Sequence, residues 1–73
     1  MFSHFGPETT ALLTGVQQSA LEEWAAGRPE SDSPMLRALV EASIARAILN
    51  AAAAGERDPE RLKQVALAEA AAT

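Results

Sequence analysis

The stretch AAAAGERDPERLKQ, residues 51–64, contains the end of one helix and the beginning of another. Gly55 is suited to end a helix, because glycine readily adopts the left-handed conformation that stops an α-helix. Asp58 and Pro59 are suited to begin one, since aspartate accepts hydrogen bonds from free amide groups and proline fits the first helical position. The turn of about three residues between these signals predicts a helical corner or hairpin.

Similar signals divide the rest of the chain. Pro7 and the pair Ser33-Pro34 can each begin a helix, and Gly27 can end the first one by adopting the left-handed conformation. β-Branched residues are few and do not alternate with polar ones, so no strand is predicted. The sequence therefore predicts a single all-α domain over residues 1–73, a three-helix up-down bundle with helices at about residues 7–26, 34–54 and 59–71.

The composition indicates a thin core that needs support. The chain has 73 residues, is rich in alanine, and contains only two Phe and one Trp as aromatic residues. Domains this small leave much of their surface in water and commonly rely on disulfides, a metal or a second chain. There is no cysteine and a single histidine, His4, so we expect no disulfide, no metal site and no cofactor. Oligomerisation is therefore the remaining means of stabilising so small a domain.

The first and third helices each have one apolar face. A stripe of this kind predicts that one side of the helix packs against the core while the other side faces solvent. The predicted core residues on these two helices are Leu13, Val16, Ala20, Trp24, Leu62 and Val65.

The middle helix is apolar on two opposite sides. At about 100° per residue, one face collects the predicted core residues Leu36, Val40, Ile44, Ala47 and Ile48. The opposite face collects the predicted interface residues Met35, Ala38, Leu39, Ala42, Ala45 and Leu49. A second apolar face would be an exposed patch, which soluble monomers rarely tolerate. We therefore expect a homodimer, packed symmetrically through this second face.

Charge and chemistry favour an interaction protein over an enzyme. The net charge is −4, with ten acidic and six basic residues, so we expect neither a membrane nor a nucleic-acid partner. No paired nucleophile and base is recognisable, which predicts no catalysis. The first residues lack the pattern of a secretory signal, which favours a cytoplasmic location. The leading prediction is a small non-catalytic helical interaction module (regulator, adaptor or accessory subunit) that acts through homo-oligomerisation and an apolar helix face, with another protein as a further partner.

The first alternative is a nucleic-acid-associated protein of the helix-turn-helix type. The stretch AGERDPERL, residues 54–62, resembles a short stretch inside certain transposases. That resemblance implies DNA binding, with Arg57, Arg61 and Lys63 as phosphate contacts. Three acidic residues alternate with the bases, which is typical of a solvated helix start.

The second alternative concerns the stretch ESDSPMLRALV, residues 30–40. An acidic chain of this length with Asp-Ser before its second helix resembles the acyl carrier proteins, in which the serine of an Asp-Ser-Leu motif carries a phosphopantetheine arm. The resemblance implies modification of Ser33. Pro34 stands where that family has leucine, and serine followed by proline is also the pattern of an ordinary helix start.

Overall fold

The computed structural model describes residues 5–27 and 33–72, and every regular element in that part of the chain is an α-helix. The helices are α1, Pro7–Ala26, α2, Pro34–Ala53, and α3, Pro59–Ala72. Each begins at a proline, whose fixed φ fits the first turn and whose missing amide hydrogen is not needed there. The three helices pack together, and each contacts the other two. His4 lies outside the described residues.

The C-terminus of α2 is closed by Gly55, which lies two residues after the last helical residue and has a φ of 105°. The Gly55 amide donates to the Ala52 carbonyl and the Glu56 amide donates to the Ala51 carbonyl, both at 3.0 Å. This pair of bonds around a positive-φ glycine is the Schellman motif, and it satisfies carbonyls that the last turn would leave without partners. Gly27, at the end of α1, has φ −99° and ψ 7°, so the left-handed conformation predicted there is not used.

Side-chain caps begin α2 and α3. Ser33 Oγ accepts a hydrogen bond from the Leu36 amide at 3.3 Å, and Asp58 Oδ1 accepts one from the Glu60 amide at 3.0 Å. Each bond satisfies an amide group that the first turn leaves without a partner inside the helix. A cap of this kind typically contributes about 1 kcal/mol to stability. The Schellman motif at Gly55 and the caps at Ser33 and Asp58 therefore determine where α2 begins and ends and where α3 begins.

The core is one cluster to which all three helices contribute. Its buried residues are Leu13, Val16, Ala20 and Trp24 of α1, Val40, Ile44, Ile48 and Ala52 of α2, and Leu62, Ala66 and Ala70 of α3. Most of these residues are four apart, so each helix presents one ridge of side chains to the other two. The alanines in these ridges allow close approach of the helices, and Trp24 supplies the largest side chain. Ala47 is buried as well.

One predicted core residue lies outside the core, and another lies at its edge. Val65 is 42% exposed, so its assignment to the core is wrong. It precedes Ala66, a member of the buried ridge of α3, and one residue turns a side chain about 100° around a helix. Leu36 is half-buried and packs against the edge of the core.

Candidate interaction surfaces

Part of the predicted second face of α2 is exposed. Met35 is 76% exposed and Leu39 is 54% exposed, and Ala38 and Ala42 beside them are also exposed. Residues at positions i, i+3, i+4 and i+7 share one side of a helix, so these four form a continuous patch on the first half of α2. We call this patch the outer flank. Large apolar side chains that are exposed next to one another are a common feature of interaction surfaces.

Two residues predicted for the interface are covered within one copy. Ala45 is only 3% exposed, so the structure contradicts its placement on a free surface. Leu49 is half-buried and packs against the core. Ala52, seven residues after Ala45 and on the same side of the helix, is buried too. Because alanine side chains are small, a neighbouring helix can pack closely against them. More of the circumference of α2 is therefore buried in its second half than in its first half.

Arg46 continues the line of the outer flank toward the middle of the helix. It follows Ala42 by four residues and Leu39 by seven, and it is exposed. Its guanidinium forms no ion pair with any other described residue. The apolar patch is therefore followed, on the same side of α2, by an available positive charge.

An open groove of about 310 Å³ lies between α1 and α3. We call it the α1–α3 groove. A Cβ atom placed on Gly15 would have no atom within 4 Å beyond its own stretch of helix, so the missing side chain leaves room that the other helices do not fill. Sequence reasoning did not find this groove, because small residues on the exposed side of a helix carry no hydrophobic signal. The groove is lined by Ala11, Leu12, Gly15, Val16 and Ser19 of α1 and by Pro59, Glu60 and Lys63 of α3.

An ion pair joins α1 to α3 beside this groove. Lys63 Nζ lies 2.7 Å from Glu23 Oε2. The hydrogen bond that Lys63 donates to Glu23, and then the negative charge of Glu23, raise the pKa of Lys63 above its usual value, because both favour the charged ammonium. Glu60 also lines the groove and has no ion pair with a described residue, although its negative charge adds to the rise in the pKa of Lys63.

The three predicted phosphate contacts all have partners within the chain. Arg57 Nη1 donates to the carbonyls of Ala52 at 2.7 Å and Glu56 at 2.9 Å, and its guanidinium lies 5.5 Å from the centre of the Phe5 ring. Arg61 Nη1 lies 3.8 Å from Glu56 Oε1. Lys63, the third predicted contact, forms the ion pair with Glu23. Bases that already have partners leave less positive charge to attract a phosphate backbone.

Ser33, the candidate for phosphopantetheine attachment, is the N-cap of α2. Its hydroxyl accepts the hydrogen bond from the Leu36 amide, and Pro34 follows it at the first helical position. Capping accounts for both residues of the Ser-Pro pair. The geometry therefore gives the carrier alternative no support beyond the sequence.

Residues 5–27 and 33–72 contain no group of three or more His, Cys, Asp or Glu residues that could hold a metal ion. Within the same ranges, no helix combines the length and the apolar character needed to cross a lipid bilayer. Comparison with protein-family models, with curated proteins and with solved structures finds no match to this chain. The proposal below therefore rests on the surfaces of this chain alone.

Proposed function

We propose that this chain is a small non-catalytic helical interaction module that associates with a second copy of itself through the outer flank of α2, a dimer being the smallest assembly. The observation that carries the proposal is the exposure of Met35 and Leu39 side by side. Every other large apolar side chain of α2 is buried or packs against the core. Covering exposed apolar surface is favourable by about 25 cal/mol for each Å² removed from water.

The chemistry of the described residues also favours interaction over catalysis. The chain contains no cysteine and a single histidine, His4, and these are the side chains that most often serve as nucleophile or base near neutral pH. Ala38 and Ala42 lie beside the two exposed large side chains, so the backbone of a partner helix could approach closely. A helix face with large residues flanked by small ones suits a second helix better than a small polar substrate.

The nucleic-acid alternative has less support. Arg57, Arg61 and Lys63 already have partners within the chain. The net charge of −4 also opposes a polyanionic partner.

Sedimentation velocity of the full chain from about 1 μM to about 1 mM, the range of modest affinities, tests the proposal. We expect the sedimentation coefficient to rise with concentration. Leu39→Asp should weaken association at least tenfold, because a carboxylate would be buried at the contact without a partner. Val65→Asp is the matched control, since it places the same charge on an exposed apolar residue of α3. A monomer at every concentration, or equal loss in both variants, would contradict the proposal.

A further inference from the structure

The outer flank is too small to hold two copies together by pairing only with itself. It consists of only two large side chains, Met35 and Leu39, and two alanines. Stable association buries about 800 Å² on each partner. The flank therefore needs a receiving surface that is concave and adds apolar area of its own.

The α1–α3 groove has that shape. Leu12 and Val16 give it an apolar lining, and its volume of about 310 Å³ has room for apolar side chains from outside. Gly15 widens the groove, since beyond its own stretch of helix no atom of this copy comes within 4 Å of the position that its Cβ would take.

The charges beside the two surfaces are complementary. Arg46 continues the outer flank and has no carboxylate partner among the described residues, while Glu60 lines the groove and has no cationic partner at ion-pair distance there. Lys63, the other charge in the groove lining, is paired with Glu23 at 2.7 Å and also interacts over a longer distance with Glu60. One copy thus presents a positive charge beside its apolar flank, and another presents a carboxylate beside its groove that no cation contacts at ion-pair distance among the described residues.

We propose that the outer flank of one copy docks into the α1–α3 groove of a second copy. Met35 and Leu39 enter the groove, and Arg46 lies beside Glu60. The contact joins two different surfaces, and because each copy carries both, it either closes as a reciprocal pair or continues through further copies. This inference rests on the proposed function and adds the receiving surface to it.

Cysteine cross-linking tests the contact directly, because the chain has no cysteine of its own. Leu39→Cys and Gly15→Cys proteins are mixed in equal amounts under mild oxidation, and the linked peptides are identified by mass spectrometry. A disulfide requires Cα atoms within about 7 Å, so Met35→Cys and Ser19→Cys extend the test to four pairings of flank with groove. Leu39→Cys mixed with Val65→Cys gives the yield from random collision.

We expect the disulfide yield of at least one flank–groove pairing to be about tenfold higher than the yield from random collision. A tenfold ratio corresponds to a free-energy difference of about 1.4 kcal/mol. If only Leu39→Cys linked to itself, the flank would pair symmetrically, so the docking in the groove would be overturned and the proposed function would stand. If no flank cysteine linked above the control and the chain sedimented as a monomer, both would be overturned.

A charge exchange tests the orientation. Arg46→Glu should weaken association about two- to fivefold, as expected for an ion pair at the rim of a contact. Adding Glu60→Arg to the same chain should restore association, because each contact then again places a positive side chain beside a negative one. Weakening without restoration would overturn the placement of Arg46 beside Glu60.

Discussion

Lys63 Nζ and Glu23 Oε2 lie 2.7 Å apart and link α3 to α1. The Lys63 side chain is 28% exposed, because its aliphatic part packs along the protein surface while its ammonium group remains accessible to water. Lys63 also lines the α1–α3 groove. The pair therefore contributes to the relative placement of the two helices, and Glu23 offsets the positive charge of Lys63 beside the groove.

Stability should decrease as the pH rises through the raised pKa of Lys63. The folded-state pKa lies above the ordinary 10.5, chiefly because of the hydrogen bond with Glu23 and then because of its charge. A raised pKa contributes stability that is complete below the unfolded-state value and is lost as the pH rises through the folded-state value. Thermal unfolding followed by circular dichroism from about pH 9 to about pH 12, the window of that loss, should show a falling Tm.

Glu23→Gln is the control for this pH dependence. It removes the carboxylate charge and keeps the shape of the side chain, so the Tm near pH 8 should fall slightly. The further decrease above pH 10.5 should become smaller than in the parent chain. An unchanged profile in the variant would show that other groups cause the loss.

Replacing Gly55 should destabilise the corner between α2 and α3. Its φ of 105° is strained for any residue with a Cβ atom. Gly55→Ala should cost about 1–2 kcal/mol, which lowers the Tm of a domain this small by roughly 4–8 °C per kcal/mol. Gly27→Ala is the matched control, because Gly27 has a negative φ and open space around its Cβ position. Equal Tm losses in the two variants would contradict the role of backbone conformation.

The ends of the helices could be predicted from the sequence because they depend on local chemistry. Gly55, Asp58 and Ser33 each act within three or four residues of their own position, through a positive φ or a cap. No knowledge of the rest of the fold is needed for such signals. For this reason the helical corner in residues 51–64 could be predicted from its sequence.

The sides of the helices could be predicted only in part. Ala45 and Val65 each lie near the border between a covered and an open face, and the crossing of three helices decides which side of that border is buried. Alanine gives little guidance, since its small side chain is compatible with a core, an interface or solvent. The α1–α3 groove depends on two helices that are far apart in sequence, so no periodicity within either helix reveals it.

Leu49→Asp should destabilise the fold rather than affect assembly alone. The sequence placed Leu49 on a free surface, whereas its side chain packs against the core. A carboxylate at this half-buried position should cost about 1–3 kcal/mol, with a lower Tm at every protein concentration. Leu39→Asp, on the exposed flank, should leave the Tm of the dilute chain nearly unchanged. A normal Tm for Leu49→Asp would contradict its contact with the core.

Substitutions of Gly15 should separate stability from association. Gly15→Ala should stabilise the dilute chain by about 0.5–1 kcal/mol, because alanine is the better helix former and its Cβ meets open space. Gly15→Leu should also preserve the helix, since leucine has a high helix propensity. Its longer side chain would occupy the α1–α3 groove, however, so sedimentation should show association weakened about tenfold. A Tm loss in Gly15→Ala would contradict the open space, and undiminished association in Gly15→Leu would exclude the groove as the receiving surface.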